Sequence, residues 1–412
     1  MKIAFLCCSL ERGRDGVGDY TRRLAGELVR QGHRCVAIAL NDPHIASPVG
    51  ESQETEGVAL SVVRLPESFS WDRRMVEARN TLNVFSPDWM SLQFVPFGFH
   101  RRGLCFGLGK RLAGLQGKGR RWHIMFHEVW LGLGEKAPIK HRALGMLQRG
   151  IIKDMVRHLR PAVAHTQVEV YRIALGRAGI QASILPLFSN IPRVHSDGWV
   201  SLLEPLVSKA AGRKLGRDKV YLAGIFGAVA PEWEIEKPVK TLLPLLERTR
   251  KRLVLVFCGR SNLSQEAFYR LKLVLGNRAD LVVTGERPDI EISSILESLD
   301  LGLATTPRQN IQKSGSAAAM LEHDLHVLVT RDDWRLRGGD SRLETPCPRL
   351  LSPEEFLLLT SLPERHSQPS ANGGVRDVAA QMATALSSPA AGERPALAPR
   401  LGGPALQESS AL

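Results

Sequence analysis

Small, basic and acidic residues cluster around the start of one helix near residue 315. An apolar strand at residues 301–304 leads through a polar loop to a helix that opens with Gly315 and Ser316, followed by three alanines. Small residues let the backbone N–H groups at a helix start approach an anion, and Lys313 adds a positive charge just before them. Glu322 lies two turns farther along, where its carboxylate could accept hydrogen bonds from ribose hydroxyls. The pattern suits a nucleotide diphosphate, although close packing of a small-residue helix on a sheet explains it at least as well.

Strands alternate with helices along most of the chain, which is typical of parallel sheets covered on both faces. The first series starts with a strand at residues 2–8, a glycine-rich loop at 9–18 and a helix at 19–30 capped by Asp19. The pattern breaks at residues 193–218 and resumes at residue 220. We therefore predict an α/β fold of two doubly wound Rossmann-like domains that face a central cleft.

The predicted boundaries are residues 1–195 for the first domain, 196–218 for a linker and 219–365 for the second domain. A C-terminal helix region at 366–386 and a disordered tail rich in proline and alanine at 387–412 follow. A chain of 412 residues exceeds what one hydrophobic core usually holds, which agrees with two domains.

The formal net charge of +13 favours an anionic partner, either nucleotides, an anionic membrane surface or nucleic acid. Nucleic acid is the weakest of these, because the sequence has no zinc-finger spacing, helix-turn-helix signature or aromatic RNA-binding motif. The segment 100–121 contains basic residues and no acidic residue. It predicts either a contact with an anionic membrane or a solvated basic face beside the cleft.

Six cysteines without metal-like spacing indicate reduced core residues. Residues 1–8 are typical of a first strand rather than a signal peptide, and no apolar run approaches the roughly 18 residues of a membrane helix. We expect a cytoplasmic protein, which would lie at the inner face of the cell membrane if the basic segment binds lipid.

Several motifs follow predicted strands, at the edge where ligands of doubly wound domains bind. Gly16 and Gly18 follow the first strand, and His127 and Glu128 follow a strand at residues 124–126. The helix at residues 315–322 follows the strand at 301–304. The parallel arrangement therefore predicts that these motifs line one cleft.

In their order and separation, these motifs resemble those of the family 4 glycosyltransferases. The loop from Gly16 to Tyr20 is similar to the family's N-terminal glycine loop, and His127 with Glu128 is similar to its His-Asp/Glu pair. The helix at residues 315–322 is similar to its donor-binding helix. Members are two-domain enzymes of the GT-B fold, in the superfamily of glycogen synthase and sucrose synthase. They transfer a sugar from a nucleotide sugar with retention of configuration.

The resemblance implies a role for each matching residue. Gly16 and Gly18 would let the loop backbone approach the donor diphosphate or the acceptor, and His127 would contact the transferred sugar. Glu322 would hold the ribose, and Lys237 would neutralise the diphosphate as it leaves. Because lysine and arginine serve where other enzymes use a metal ion, the resemblance implies a metal-independent hexosyltransferase. It needs no cofactor, since the nucleotide sugar is a substrate.

Two departures from the family pattern concern the donor site. Ala228 follows Gly227 where the family usually has arginine, and Ser314 stands where the family has the first of two glutamates. Arg260, Arg308 or Lys313 could supply the missing positive charge. The expected donor-binding residues are Gly16, Gly18, Arg260, Lys313, Ser314, Gly315, Ser316 and Glu322.

The leading expectation is transfer of a sugar from a nucleotide-diphosphate sugar to a glycan, lipid-linked or other acceptor, as in polysaccharide biosynthesis. A catalytically degenerate GT-B protein that acts as a binding or assembly partner is one alternative, and Ala228 and Ser314 favour it. A nucleotide-sugar epimerase is the other alternative, and it would need acid/base carboxylates in the cleft.

Overall fold

A computed structural model describes residues 1–230, 233–234, 236–260, 264–339, 347–363 and 374–388. These residues form two β-sheets with helices on their faces, one sheet in each half of the chain. The predicted α/β fold of two Rossmann-like domains is confirmed.

The first domain contains a sheet of eight strands in the order β3-β4-β2-β1-β5-β6-β7-β8. All neighbours are parallel except β3 and β4, which pair antiparallel. In chain order its elements are β1 (Lys2–Cys7), α1 (Gly16–Arg30), β2 (Arg34–Asp42), β3 (Val49–Thr55), β4 (Val58–Pro66), α2 (Trp71–Phe85), β5 (Trp89–Phe94), α3 (Pro96–Phe99), α4 (Leu108–Ala113), β6 (Arg121–Phe126), α5 (Ile139–Leu159), β7 (Val163–Thr166), α6 (Glu169–Arg177) and β8 (Ser183–Ile184).

The second domain contains a sheet of six parallel strands in the order β11-β10-β9-β12-β13-β14. Its elements are α7 (Glu204–Ala211), β9 (Val220–Phe226), α8 (Glu236–Thr249), β10 (Arg252–Cys258), α9 (Gln265–Leu275), β11 (Ala279–Gly285), α10 (Asp289–Ser298), β12 (Leu301–Ala304), α11 (Gly315–Glu322), β13 (Val327–Val329), β14 (Leu350–Leu351) and α12 (Pro353–Leu357), and α13 (Gly374–Ser387) follows them. Short 3-10 turns occur at Arg217–Lys219, Gly276–Arg278 and Arg308–Lys313. This strand order is that of doubly wound nucleotide-binding domains.

Strand β1 shows why the central strands are apolar throughout. Ala4 and Leu6 belong to the hydrophobic core on one face of the sheet, whereas Ile3 and Phe5 belong to the core on the other face. Successive side chains of a strand point to opposite faces, so a strand covered on both faces must be apolar at every position.

The sequence-based boundaries differ from the structure at three places. Helix α1 begins at Gly16 and is capped by Asp15 rather than by Asp19, so the glycines expected in a loop lie in the first helical turn. The segment 196–218, predicted as a linker, contains a π-helical turn at Trp199–Leu203 and helix α7. Trp199 and Val207 are buried in the core of the second domain, which explains why this polar segment is ordered. Strand β3 is polar and was not predicted.

Helix α13 returns from the second half of the chain to the first domain. Its buried residues, including Val378 and Met382, pack with Tyr20 and Leu24 of α1. The Gln31 side chain also donates to the Arg376 carbonyl oxygen at 2.9 Å. The predicted C-terminal helix region is therefore helical where it is described, whereas residues 389–412 of the predicted tail lie outside the described residues.

A second connection is the segment of residues 334–338, here called the strap. Leu336 forms an antiparallel bridge with Gly134 of the first domain, and its side chain is 2% exposed in that domain's core. Backbone hydrogen bonds on both sides of the bridge join Arg337 to Leu133 at 2.9 Å and Glu135 to Arg335 at 3.0 Å. The strap thus carries backbone from the second domain across to the first.

The basic segment 100–121 shows only a small apolar surface. Leu108, Leu112 and Leu115 are buried in the first domain, whereas Phe106 is 62% exposed. No helix in the described ranges is both long and apolar enough to cross a bilayer.

Candidate functional site

A cavity of about 160 Å³ lies between the two domains beside helix α11. The first domain lines it with residues that follow β7 and β8, and the second domain lines it with one face of α11 and the preceding turn. The lining residues are Gln167, Ile184, Pro186, Leu187, Ile311, Gln312, Ser314, Ala317, Ala318, Leu321, Glu322, Cys347 and Leu350.

The N-terminus of α11 meets the loop that opens the second domain. Ser314 caps the helix, since its hydroxyl accepts a hydrogen bond from the Ala317 N–H at 3.3 Å. The N–H groups of Gly315 and Ser316 belong to the first turn and therefore have no intrahelical partner. Gly227, with φ of +80°, directly follows β9, and a Cβ atom there would lie 3.1 Å from the Ser316 hydroxyl. The structure thus brings two predicted donor-site motifs into contact.

Glu322 ties the other end of α11 to the first domain. Its carboxylate accepts a hydrogen bond from the Ser189 backbone N–H at 2.7 Å. Burial raises the pKa of this carboxyl above its ordinary value, while the Ser189 N–H and the positive charge of Arg23 oppose the rise. One carboxylate oxygen is therefore engaged across the domain boundary.

His127 is buried at the end of β6 and bonded through both ring nitrogens. Its Nδ1 accepts from the Gln167 amide at 2.8 Å, and its Nε2–H donates to the Gln93 carbonyl oxygen at 2.9 Å. The ring also packs edge-on against Tyr20, with centroids 4.8 Å apart. Burial lowers the pKa of His127 to about 3, and the Gln167 hydrogen bond opposes this only in part. The imidazole is therefore neutral.

The hydrogen bonds of His127 continue through a buried chain across three strands. The Gln93 amide donates to the Ser91 hydroxyl at 2.7 Å, and Ser91 bonds to His123 Nδ1 at 2.8 Å. His123 Nε2 then bonds to His165 Nδ1 at 3.0 Å. Burial lowers the pKa of His165 to about 4 and that of His123 well below its ordinary value. The Gln167 and Gln93 side chains fix the Nε2–H tautomer of His127, and we expect Ser91 and His123 to donate onward in the same direction.

The predicted cationic residues lie outside the lining of the cavity beside α11, as do Gly315 and Ser316. Lys237 pairs with Glu234 at 2.9 Å and lines a neighbouring cavity of about 720 Å³ that also contains Arg308. Arg260 pairs with Glu286 at 2.6 Å on the surface. Lys313 directly precedes α11, and its ammonium group donates to the Tyr171 hydroxyl of the first domain at 3.0 Å.

Gly16 and Gly18 lie at the start of α1, but two N–H groups of this turn are already engaged. The Asp15 carboxylate accepts from the N–H groups of Val17 at 2.8 Å and Gly18 at 3.1 Å. The Gly16 carbonyl oxygen accepts from the Asn190 side chain at 3.1 Å. A Cβ atom at Gly18 would lie 2.6 Å from the Ser9 carbonyl oxygen, so glycine there permits close packing of α1 on the preceding loop.

Sequence reasoning missed Gln93, Gln167 and Ser189, which contact His127 and Glu322. The available signal was polar residues at alternate positions of the apolar strand β5, where Ser91 and Gln93 are both fully buried. Buried polar side chains require hydrogen-bond partners, so such a pair indicates a polar network inside the domain.

The described residues contain no group of three His, Cys, Asp or Glu side chains placed to hold a metal ion. Neither the models of protein families nor the curated proteins match the sequence. Solved structures do resemble the fold. HepE from Anabaena, crystallised with UDP and glucose, has a TM-score of 0.51 at 14% identity, covering 92% of this chain and 95% of that chain.

Two further structures show the same architecture. OtsA without ligand has a TM-score of 0.50 at 11% identity, covering 94% of this chain and 99% of that chain. A candidate UDP-N-acetylglucosamine 2-epimerase from Listeria monocytogenes has a TM-score of 0.51 at 10% identity, with 93% and 95% covered. At these identities the likeness establishes the fold, which is the two-domain GT-B fold.

The Gly18→Ala substitution should destabilise the protein by about 1–3 kcal/mol, because the added methyl group overpacks against a backbone carbonyl. Gly16→Ala is the matched control, since a Cβ atom there meets nothing closer than 4.0 Å. Urea denaturation measures both free energies of unfolding. Equal stability of the two variants would contradict the packing role of Gly18.

His123, His127 and His165 should stay neutral in the folded protein well below pH 6. The unfolded chain takes up these protons near pH 6.5, so the free energy of unfolding should fall as the pH decreases below that value. The free energy of unfolding should fall by about 1.4 kcal/mol per pH unit for each histidine that stays neutral. Urea denaturation at a series of pH values between 7 and 5 measures this slope.

Nitrogen-15 NMR of the imidazole rings separately tests the direction in which the hydrogen bonds from Gln167 to His165 are donated. All three rings should carry the proton on Nε2, and Gln167→Ala should shift the Nδ1 signal of His127 while leaving that of His165 unchanged. A protonated ring at pH 6, or an Nδ1–H tautomer, would show that the chain is arranged differently.

Proposed function

We propose that the protein is a retaining glycosyltransferase of the family 4 type, which takes a hexose from a nucleotide-diphosphate sugar. One observation carries the proposal. The cavity between the domains combines the α11 face that bears Ser314 and Glu322 with Gln167, the direct hydrogen-bond partner of His127. Groups suited to a nucleotide diphosphate thus lie opposite a group suited to a sugar.

The start of α11 would bind the donor diphosphate. Its first N–H groups and the helix dipole favour an anion, and the small residues Gly315 and Ser316 allow close approach. Lys313 adds a positive charge next to this helix start, and Lys237 would neutralise the leaving diphosphate from the adjoining cavity. Positive groups held near the leaving oxygen lower the barrier because charge develops there in the transition state. This arrangement requires no metal ion.

Glu322 would bind the ribose through the carboxylate oxygen that Ser189 leaves available. Its raised pKa follows first from burial, so hydroxyl donors that replace water would also stabilise the charged form. His127 would bind a hydroxyl of the transferred sugar. Since Gln93 holds the Nε2 proton, Nδ1 becomes the acceptor for that hydroxyl once the Gln167 amide turns aside.

The donor has to be admitted by movement of the domains. The cavity of about 160 Å³ is smaller than the roughly 300–1,000 Å³ of typical ligand pockets. The contacts between Ser189 and Glu322 and between Tyr171 and Lys313 join the two walls. Breaking of these two contacts would open the cleft, and their re-formation would exclude water during transfer.

The donor site is tested by thermal unfolding in the presence of a panel of nucleotides and nucleotide sugars. A ligand at 100 times its dissociation constant should stabilise the folded protein by about 2.7 kcal/mol. Glu322→Gln should reduce the shift, because the amide keeps an acceptor for Ser189 but loses the charge that binds the ribose. Glu266→Gln, on the exposed surface of α9, is the matched control and should keep the full shift.

Stabilising nucleotide sugars are then incubated with the protein, and released nucleotide and altered sugar are measured. Release of the nucleotide identifies transfer of the sugar. The anomeric configuration of the transferred sugar, inverted or retained, identifies the stereochemistry of the reaction. Conversion of the sugar within the intact donor would support the epimerase alternative, and binding without any turnover would support the degenerate binding protein. Absence of stabilisation by every nucleotide would contradict the donor site itself.

The two lysines should have separable effects on turnover. Lys237→Gln should lower kcat by about 100-fold or more with little change in nucleotide affinity, because it acts on the leaving group. Lys313→Gln should weaken nucleotide affinity by about tenfold through loss of a charged contact. Lys240→Gln, which lines the same cavity as Lys237, is the control for general charge loss. Unchanged kcat in Lys237→Gln would remove that residue from the mechanism.

A further inference from the structure

A second cavity, of about 290 Å³, lies between α5, α6 and the strap. The loop that follows His127 and Glu128 forms one wall through Trp130, Leu131 and Leu133. Its lining residues are Trp130, Leu131, Leu133, Arg142, Gly145, Met146, Arg149, Ala174, Arg177, Leu336 and Arg337.

Four of these residues are arginines, and their hydrogen-bond acceptors are backbone carbonyl oxygens. Arg149 also lies over the Trp130 ring, 6.0 Å from its centroid. Arg142 donates to Glu135, Arg149 to Arg177, Arg177 to Arg337 and Gly338, and Arg337 to Gly132. Within the described residues, none of these four guanidinium groups forms an ion pair with a carboxylate, unlike those of Arg157, Arg172 and Arg335. The Nε–H of Arg142 is in addition buried without a hydrogen-bond partner.

Four guanidinium groups around one cavity make the potential there positive; solvent screens it in part, because Arg149, Arg177 and Arg337 are exposed, and a bound anion would offset the remainder. Their planar arrays of N–H donors match the oxygens of a phosphate group, to which arginine can bind through two parallel hydrogen bonds. The fold, rather than proximity in the sequence, brings these positive charges together, because Arg177 belongs to the first domain and Arg337 to the second.

Backbone packing sets the position of the two arginines on α5. Arg142 and Arg149 lie seven residues apart and therefore on one face of the helix, with Met146 between them. A Cβ atom at Gly145 would lie 2.0 Å from the Leu131 carbonyl oxygen, so glycine there lets the loop wall approach the helix. The cavity depends on this close approach.

The rest of the lining is apolar and continues onto an exposed surface. Trp130, Leu133 and Leu336 face the cavity, and Met146 is 70% exposed at its rim. Farther along the exposed side of α5, Ile139 is 83% and Leu147 is 55% exposed. A ligand that fits both parts has an anionic group joined to an apolar chain.

We propose that this cavity binds the phosphate or diphosphate group of an amphiphile, whose apolar chain leaves along Met146. The arginines hold the phosphate oxygens, and Leu336 and Arg337 of the strap complete the site from the second domain. Binding therefore favours the closed arrangement of the domains. The further step of assigning this phosphate-linked amphiphile as the sugar acceptor rests on the proposed transferase function. Binding of the amphiphile to the cavity does not depend on that function.

Calorimetric titration of the full chain with n-decyl phosphate below its micelle concentration tests the site. Inorganic phosphate, which represents the anionic group alone, and n-decanol, which represents the apolar chain alone, are titrated for comparison. Decyl phosphate should bind at least about tenfold more tightly than either. The double substitution Arg142→Gln with Arg149→Gln should weaken its binding about 100-fold, since each charged contact contributes about tenfold.

The matched control is Lys153→Gln with Arg157→Gln, which removes the same charge from α5 outside the cavity and should leave binding within about twofold of the original. Circular dichroism confirms that both variants are folded, and Arg149→Glu, at an exposed position, replaces the double variant if it is not. Equal losses in the two double variants, phosphate binding as tight as decyl phosphate, or no binding of decyl phosphate would each overturn the proposal.

Sedimentation with vesicles of phosphatidylglycerol, and of phosphatidylcholine for comparison, identifies the source of the phosphate. Binding of phosphatidylglycerol vesicles that is lost in Arg142→Gln with Arg149→Gln assigns a bilayer headgroup to the cavity. Decyl phosphate binding without vesicle binding assigns a separate amphiphilic phosphate. Both results support the site, and both are independent of whether nucleotide sugars bind beside α11.

Discussion

The hydrogen bond from the Ser189 N–H to the Glu322 carboxylate holds α11 of the second domain against the first domain. It buries an acidic group at the domain boundary, and burial in turn raises the pKa of Glu322. The cavity beside α11 exists because this contact and the Lys313–Tyr171 contact bring the two walls together. A buried carboxylate with one accepted hydrogen bond gains from further donors, so the same contact that closes the domains leaves a favourable position for hydroxyl groups.

The neutral chain from Gln167 to His165 solves a related problem in the first domain. Three histidines lie in the interior, where a charged imidazole is costly. Two glutamine amides bond to the ring of His127, and His123 bonds to the Ser91 hydroxyl and to His165. Because Gln167 donates to Nδ1 and the Gln93 carbonyl oxygen accepts from Nε2, these two side chains determine which ring nitrogen of His127 carries the proton. His127 is therefore held in one tautomer by Gln167 and Gln93, and its orientation does not depend on a bound ligand.

The arginines of the chain also differ in whether a carboxylate neutralises their charge. Many arginines pair with carboxylates at the surface, as Arg260 does with Glu286, and such exposed pairs contribute little to stability. Around the cavity at the strap, by contrast, Arg142, Arg149 and Arg177 bond to carbonyl oxygens and keep their net charge. The strap brings the fourth arginine to this position, so domain closure and concentration of positive charge occur together.

The alternation of apolar strands and helices was enough to predict two doubly wound domains, because hydrophobic periodicity is a local property of the chain. The position of His127 directly after a strand, and of the helix from Gly315 to Glu322 after the strand at residues 301–304, was likewise readable, since parallel strands end at one edge of a sheet. Only the tertiary structure decided that Asp15 occupies the N–H groups beside Gly18, that Gln93 and Gln167 bond to His127, and that Ser189 meets Glu322. Those partners are brought together by packing between elements far apart in the chain, which no local pattern specifies.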